Sequence, residues 1–277
     1  MAAAPTDDHP DATTMAAADR APAILEISGL TKRYSGLVAL SEYELQLAPH
    51  SIHGVIGPNG AGKTTLFNLL SGMVSPTAGS IRLLGVDVTD HAAHDVARAG
   101  IARTFQNIRL FGDMSALDNV KVAVQQRMPI GLFPTLLSTP SFRRHEQAVT
   151  ARALEILDRM GLAGAADRPA SSLPYGDQRR LEIARAIATE PEILLLDEPN
   201  AGMNPTETAD LLGLIRRLRD DLDLTIILVA HDIPLVMNLC DRIQVLNYGE
   251  LIADGPPAAV RNDAAVITAY LGQASHA

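Results

Sequence analysis

Tryptophan is absent from this sequence of 277 residues, and Cys240 is its single cysteine. One cysteine excludes an internal disulfide and is compatible with a reducing compartment. Nothing beside Cys240 in the sequence supports a reactive thiol, so we expect this side chain to be buried and apolar. No stretch reaches the roughly 18 apolar residues that a membrane-spanning helix needs. We therefore do not expect the chain to form a channel by itself.

Positive charge is also scarce, because 23 lysines and arginines stand against 32 aspartates and glutamates and the net charge is −9. This balance argues against general nucleic-acid binding, and we expect no nucleic-acid partner. The first 22 residues lack the basic and apolar segments of a secretory signal. Their small, acidic and proline residues predict a disordered tail, and Met1 and Met15 both remain candidates for the start.

The hydrophobic pattern near both ends of the chain predicts antiparallel strands. Apolar residues alternate over residues 23–30 and 41–57, which favours half-buried strands with Tyr43 on the buried face. Residues 80–88, SIRLLGVDV, predict one further strand. Residues 242–255 predict a hairpin that turns at an asparagine, tyrosine and glycine.

Between these regions the pattern changes twice. It is helical from about residue 106 to 180, and its clearest helix stops before Gly161. Two short runs that are wholly apolar then follow, at residues 193–196 and 224–229, with an amphipathic helix over residues 206–222 between them. Such runs are typical of a parallel sheet that is covered on both faces. The sequence therefore predicts an α/β fold.

One motif names a ligand. Residues 57–64 read G-x-x-x-x-G-K-T, after an apolar strand pattern at residues 52–56 and before a helical pattern at residues 63–70, which is the context of a P-loop. Glycines let backbone N–H groups face phosphate oxygens, and the helix N-terminus adds partial positive charge. We predict that Lys63 contacts the β- and γ-phosphates and that the Thr64 hydroxyl binds Mg²⁺. The predicted nucleotide-binding residues here are Gly57, Pro58, Asn59, Gly60, Ala61, Gly62, Lys63, Thr64 and Thr65.

Two adjacent carboxylates, Asp197 and Glu198, follow the apolar run at residues 193–196. Open α/β sheets bind ligands at the carboxyl ends of their strands. By itself, D-E-P after apolar residues is equally compatible with the start of a helix. In a chain that has a P-loop, it predicts that Asp197 binds Mg²⁺ and that Glu198 is the base that orients the attacking water.

Together, these residues resemble the ATP-binding-cassette (ABC) ATPases over residues 24–272. The resemblance implies an ABC-type P-loop NTPase with a RecA-like parallel sheet core, an antiparallel β layer and an inserted helical subdomain, and it implies ATP and Mg²⁺ as cofactors. It implies that Tyr34 stacks on adenine, that Gln106 senses the γ-phosphate and the metal, and that His231 contacts the γ-phosphate. Gln106 and His231 thus join Glu198 as predicted catalytic residues. Singly, each could instead be a packed aromatic, a polar loop residue or a strand-end histidine.

The resemblance also sets the predicted domain boundaries. They place a disordered tail at residues 1–22 and the first part of the ATP-binding core at residues 23–105. The helical subdomain with its signature takes residues 106–180. The second part of the core takes residues 181–254, and a C-terminal helical extension takes residues 255–277.

The family signature, L-S-G-G-Q, places a helix N-terminus of one subunit against the ATP of the other subunit. The residues that occupy this slot are Leu173, Pro174, Tyr175, Gly176 and Asp177. Pro174 replaces the serine whose hydroxyl would meet the γ-phosphate, and Tyr175 replaces a glycine. Asp177 is also predicted to N-cap the helix. Asn204 stands where the family usually has an aspartate in the loop between subunits.

A narrower resemblance, to the ATPase of bacterial high-affinity branched-chain amino-acid importers, rests on the segments RTFQNIRLF, TPSFRR, YGDQRRLEIAR, AGMNPTET and VITAYLG. It implies a motor subunit that lies peripherally on the cytoplasmic face of the bacterial inner membrane. The implied partners are membrane permease subunits, a second ABC ATPase in a heterodimer and, indirectly, a periplasmic substrate-binding protein. ATPases of urea or amide importers and of lipopolysaccharide export share the same core and remain alternatives.

Two other classes of protein fit less well. A P-loop phosphotransferase needs an acceptor pocket and a lid, and the sequence dedicates no residues to them. A soluble ABC protein associated with DNA or ribosomes usually carries tandem cassettes or long coiled coils. The uncharged segment at residues 128–142 is open to two interpretations, a surface loop or a contact surface for a membrane partner.

Overall fold

The computed structural model describes residues 23–130, 140–230 and 232–274 of the chain. The strands are β1 (Leu25–Tyr34), β2 (Leu37–Leu47), β3 (Ile52–Ile56), β4 (Ala78–Leu83), β5 (Val86–Asp87), β6 (Ile101–Arg103), β7 (Ile193–Asp197), β8 (Thr225–Val229), β9 (Arg242–Asn247) and β10 (Glu250–Gly255). The helices are α1 (Lys63–Leu70), α2 (Ala93–Ala99), α3 (Ala116–Arg127), α4 (Pro140–Arg159), α5 (Tyr175–Ile187), α6 (Pro205–Leu222), α7 (Ile233–Leu239), α8 (Pro257–Arg261) and α9 (Ala264–Ala274).

A six-stranded sheet lies at the centre, in the order β10-β9-β3-β8-β7-β6. Its strands are parallel except for the antiparallel pair of β9 and β10. Every residue of β3, β7 and β8 is buried, as expected for parallel strands that are covered on both faces. The predicted parallel strands, the C-terminal hairpin and the α/β class are all confirmed.

The central sheet separates two hydrophobic cores. Along β7, Leu194 and Leu196 face the core that the helical segments help to form, whereas Ile193 and Leu195 face the core shared with α1 and the N-terminal strands. This division follows from the two-residue period of a strand. The carboxyl ends of β3 and β7 are consequently held at one edge of a sheet that packs on both faces.

The N-terminal strands form a separate four-stranded antiparallel sheet, in the order β2-β1-β4-β5. Tyr43, Leu45 and Leu47 are buried on one face of β2, as predicted. The prediction of one strand over residues 80–88 is wrong, because a turn at Leu84 and Gly85 divides this stretch into β4 and β5. Both turn residues have positive φ, which a continuous strand does not tolerate.

The helical part is built mainly from α3, α4 and α5. Helix α4 ends at Arg159, and Gly161 follows in a left-handed conformation with φ of 72°, as a C-terminal stop requires. Ile156, Leu157 and Met160 are buried, whereas Leu154 is exposed although it shares their helical spacing. Helix α5 runs without a break across residue 180, where the sequence analysis divides the helical subdomain from the core.

The C-terminal residues form α8 and α9, and Tyr270 of α9 packs against the larger core. Cys240 is buried, which confirms the prediction, and burial raises the pKa of its thiol to about 12. Within the described ranges, no helix combines the length and the apolar character that crossing a membrane requires.

Candidate active site

The P-loop connects the carboxyl end of β3 to the first turn of α1. Gly57 has φ of 152°, and a Cβ there would lie 2.1 Å from the carbonyl oxygen of Leu246. Gly62, the N-cap of α1, has φ of 107°, and a Cβ there would lie 2.6 Å from the carbonyl oxygen of Ala39. Glycine fits both places because it has no Cβ and tolerates positive φ.

A cleft of about 520 Å³ opens in front of the P-loop. This volume lies in the ordinary range for a small-molecule site. The predicted site residues that line the cleft are Tyr34, Asn59, Gly60, Ala61, Gly62, Lys63, Thr64, Thr65, Gln106 and Glu198. The other lining residues, which the sequence analysis did not select, are Leu37, Val38, Ala39, Val229 and Tyr248. The structure therefore brings the Tyr34 ring, the P-loop and the Glu198 carboxylate together at one opening.

Lys63 is held in place by the loop that precedes it. Its Nζ donates hydrogen bonds to the carbonyl oxygens of Gly57, at 2.6 Å, and Pro58, at 2.9 Å. Gly57 and Pro58 thus act on the site through their carbonyl groups and are not among the residues that line the cleft. Burial lowers the pKa of Lys63, while the carboxylates of Glu198 and Asp197 act in the opposite direction. These carboxylates favour the charged form of the ammonium group in a buried position.

The two adjacent carboxylates have different surroundings. Glu198 follows β7 with φ of 45° and lines the cleft, where its Oε2 accepts a hydrogen bond of 3.0 Å from Nε2 of Gln106. Asp197 is the last residue of β7 and is buried, and its Oδ2 accepts a hydrogen bond of 2.8 Å from Nη2 of Arg103. Arg103 is not among the predicted site residues, although an arginine at the end of a short apolar strand was a signal.

A second buried ion pair supports the loop that carries Gln106. The Arg179 side chain of α5 is fully buried, and its Nη1 lies 2.7 Å from Oε2 of Glu182. Arg179 also donates to the carbonyl oxygens of Phe105, at 2.6 Å, and Gln106, at 2.9 Å. The Phe105 amide donates to Oε1 of Glu182 at 3.2 Å. Helix α5 thereby fixes the backbone from which Gln106 reaches Glu198.

Of the signature residues 173–177, the first two precede α5 and the last three begin it, and none of the five lines the cleft. Pro174 is the N-cap and makes no side-chain cap hydrogen bond. The predicted N-cap role of Asp177 is wrong, because Asp177 lies inside the first helical turn. There its carboxylate interacts favourably with the positive end of the helix dipole, and its Oδ1 lies 3.9 Å from Nη1 of Arg180. The Tyr175 ring packs beside Gly202, in the loop that follows Glu198.

Asn204 has a local role in the structure, since it is the N-cap of α6. Its Oδ1 accepts a hydrogen bond of 2.9 Å from the backbone N–H of Glu207, and Oε2 of Glu207 accepts one of 3.0 Å from the backbone N–H of Asn204. This reciprocal pair is a capping box. Three predictions lie outside the described residues: the disordered tail at residues 1–22, the role of His231, and the interpretation of the uncharged segment over its central residues 131–139.

Comparison with known proteins identifies the family to which the chain belongs. The sequence profile described as ABC transporter matches residues 40–201. The protein is 49% identical over 251 residues to the high-affinity branched-chain amino acid transport ATP-binding protein LivG of Escherichia coli strain K12, an alignment that covers 91% of this chain and 98% of LivG. The chain belongs to the ABC transporter ATPase family. The ABC match takes in the P-loop, the Gln106 loop, the signature and both carboxylates.

Further comparisons agree with this membership of the ABC family. The BraF protein of Pseudomonas aeruginosa, which carries the same description as LivG, is 47% identical over 91% of this chain and 98% of its own length. A profile described as a branched-chain amino acid ATP-binding cassette transporter matches residues 250–276. The crystal structure of the ADP conformation of an ATP-binding cassette from an ABC transporter has a TM-score of 0.78 and 27% identity, over 91% of this chain and 100% of that one. The protein is therefore an ABC ATPase, and it binds and hydrolyses ATP as a subunit of a transporter.

Proposed function

We propose that this ABC ATPase drives a branched-chain amino-acid importer. The proposal is supported by the names of LivG and BraF, which align over nearly their whole lengths, and by the C-terminal match at residues 250–276. The amino acid itself is selected by the permease and by a periplasmic substrate-binding protein. This chain supplies the free energy of ATP hydrolysis and does not contact the transported molecule.

ATP occupies the cleft in front of the P-loop with its adenine against the Tyr34 ring. The triphosphate lies along the backbone N–H groups of residues 59–65, where the loop and the α1 N-terminus favour negative charge. Lys63 is already buried beside the loop, and its Nζ exchanges the carbonyl oxygens of Gly57 and Pro58 for phosphate oxygens.

The residues near the P-loop also suit Mg²⁺. Thr64, Gln106 and Asp197 offer a hydroxyl, an amide oxygen and a carboxylate, which are the oxygen donors that Mg²⁺ prefers. Among the described residues there is no group of three or more acidic, histidine or cysteine side chains that could hold a metal alone. This fits an ion that arrives with the nucleotide and is held partly by phosphates. The bound ion would neutralise charge that develops on the phosphate oxygens.

Glu198 acts as the general base that orients the water and takes its proton. The observation that supports this role best is the 3.0 Å contact between Nε2 of Gln106 and Oε2 of Glu198, in the cleft that also holds Lys63 and Thr64. The contact holds the carboxylate on the side of the cleft where a water can attack the γ-phosphate. By the family resemblance, His231 contacts the same phosphate.

Substitution of Glu198 tests this assignment. Glu198→Gln should retain ATP binding and lose about 10²–10⁴-fold in turnover, the usual contribution of a general base. Glu26→Gln, which changes an exposed carboxylate on β1, is the matched control and should leave turnover unchanged. Turnover of the Glu198 variant within twofold of the parent would remove Glu198 from the mechanism.

We infer further that the working dimer contains a second, different cassette. Pro174 supplies neither a hydroxyl nor a backbone N–H to an opposing γ-phosphate. One charge-assisted hydrogen bond contributes about 1.5–3 kcal/mol, so an ATP site that is completed by this signature should bind ATP weakly. The P-loop and Glu198 of this chain would form the other ATP site of the dimer, which a more complete signature of the partner cassette completes. The purified chain should hydrolyse ATP slowly and accelerate when the partner cassette is added. Full cooperative activity of the homodimer, with no gain from any second cassette, would contradict the heterodimer.

The membrane contact lies between the Gln106 loop and the helical part, and it holds the chain peripherally at the cytoplasmic face of the bacterial inner membrane. Phe111 supports this placement, because its ring is 46% exposed just beyond Gln106. The Arg185 guanidinium stacks 4.7 Å from the ring centre and holds it in place. An exposed aromatic residue on a fixed support is a typical anchor for a protein partner.

A further inference from the structure

Arg103 contacts both the strand that ends at Asp197 and the helix that follows the P-loop. It is the last residue of β6, and it lies beside the carboxyl end of β7 in the parallel pair of strands. Its Nη2 is 2.8 Å from Oδ2 of Asp197, and the two side chains are only 7% and 9% exposed. Water therefore screens this pair little, and the two groups hold each other firmly in place.

The other end of the same guanidinium binds the P-loop helix. Nη1 of Arg103 donates to Oδ1 of Asn68, at 2.7 Å, and to Oγ of Ser71, at 3.2 Å. Asn68 belongs to α1, and Ser71 is its C-cap, while Lys63 and Thr64 begin the same helix. One planar group thus joins the helix that carries the phosphate-binding residues to the strand that ends at the carboxylate.

The guanidinium of Arg103 also lies over two aromatic rings, those of Phe67 and Phe105. Its central carbon lies 5.5 Å from the Phe67 ring centre and 5.2 Å from the Phe105 ring centre. Phe105 directly precedes Gln106, so the position of the arginine is also tied to the loop that reaches Glu198. Arginine suits this place because its fork binds two partners at fixed angles while its faces stack on aromatic rings.

Asp197 is buried behind the residues that line the cleft, and its charge acts on Lys63 of the P-loop. Because Arg103 engages Oδ2, only Oδ1 is left for another ligand unless the ion pair breaks. Stability alone is a weak explanation for the pair, since apolar side chains often replace a buried ion pair without loss. Partners outside the direct ligands commonly orient a metal-binding side chain and change metal affinity when removed.

We propose that Arg103 is a positioning residue for the Mg²⁺ complex of ATP. It fixes the direction of Asp197 relative to Lys63 and Thr64, so that the carboxylate meets an ion that arrives on the phosphates. The proposal rests on the proposed function, which places Asp197 beside Mg²⁺. It assigns Arg103 no contact with the nucleotide.

The test measures ATP affinity twice for each variant, once with excess Mg²⁺ and once with EDTA. Arg103→Met should lower the affinity with Mg²⁺ by about tenfold or more, in line with the usual cost of removing such a partner. Its affinity in EDTA should stay within twofold of the parent, because Lys63 and the P-loop amides are intact. Arg103→Lys keeps a charge for Asp197 but loses the fork toward Asn68, so it should recover part of the loss.

Two further variants complete the experiment. Arg98→Met is the matched control, because Arg98 is exposed and its Nη1 lies 3.6 Å from Oδ1 of Asp95. Neither residue lines the cleft, so both ATP affinities of this variant should equal those of the parent. Asp197→Ala should abolish the gain that Mg²⁺ gives the parent. Arg103→Lys also guards against misfolding, because it keeps a positive charge beside the buried Asp197.

The outcomes separate the inference from the proposed function. Equal losses with Mg²⁺ and with EDTA in Arg103→Met, or no loss in either, would overturn the positioning role while Asp197→Ala still loses the Mg²⁺ gain. An unchanged Mg²⁺ gain in Asp197→Ala, or none in the parent, would instead overturn the placement of the ion beside Asp197.

Discussion

Replacing Arg179 with methionine removes a cation from a fully buried position and leaves its partner, Glu182, behind. Methionine has a similar length and fills much of the same space, so the cavity contribution stays small. The variant loses the ion pair to Glu182 and the hydrogen bonds to the carbonyl oxygens of Phe105 and Gln106. The perturbation therefore acts on one buried polar network and on little else.

The expected cost follows from burial. Removing one partner of a buried ion pair usually destabilises a protein by about 3–5 kcal/mol, because the remaining charge is left uncompensated. The chain offers a matched control in Arg152 and Glu155, the same residue types at the same spacing on α4, with side chains 36% and 47% exposed. Arg152→Met should cost about 1 kcal/mol or less, because exposed pairs contribute little.

The cost should also depend on pH. Burial raises the pKa of Glu182 above its ordinary value of 4.5, and Arg179 is the main influence that lowers it. Without Arg179, the pKa of Glu182 rises further. A carboxyl group whose pKa is raised by folding supports the folded state below its unfolded pKa and loses that support as pH rises through the folded value. The deficit of Arg179→Met should thus be larger at pH 8 than at pH 5.

Urea unfolding of the parent, Arg179→Met and Arg152→Met at both pH values measures these differences. Adding Glu182→Gln to Arg179→Met should recover part of the stability at pH 8, because no buried charge then remains. Equal deficits for Arg179→Met and Arg152→Met, or a deficit that does not change with pH, would refute the reasoning.

Two predictions concern surfaces. Tyr34→Ala should weaken ATP binding roughly fivefold to a hundredfold, the usual range for loss of one aromatic stack on a base. Tyr34→Phe should bind ATP like the parent, because it keeps the ring. Equal ATP affinities of the parent and both variants, measured by titration, would place adenine elsewhere. Phe111→Asp should lower amino-acid uptake about tenfold or more, as loss of an interface anchor does, with ATP binding by the isolated chain unchanged. Leu154→Asp, a change at a residue 40% exposed on α4, is its control, and normal uptake by the Phe111 variant would move the permease contact.

The sequence alone determined the parts of this protein that local chemistry specifies. Strand β3 and helix α1 have the predicted bounds, because the apolar run before Gly57 and the glycines before Lys63 restrict the backbone within a few residues. The motifs also indicated the ABC family, because each is a short local pattern whose residue types suit nucleotide or metal binding and because they follow one another in the order that the family has. The turn at Leu84 was missed because leucine rarely adopts positive φ and gives no local signal for it.

Only the tertiary structure decided which distant side chains meet. Arg103 and Asp197 are 94 positions apart, and Gln106 and Glu198 are 92 apart, so no local pattern connects them. Arg179 looked like one more charged residue on a helix, yet packing turns it toward the carbonyl groups of Phe105 and Gln106. Periodicity determines which face of an element is apolar, whereas the pairing of buried charges depends on how the sheet brings its strand ends together, and that is settled only when the whole chain has folded.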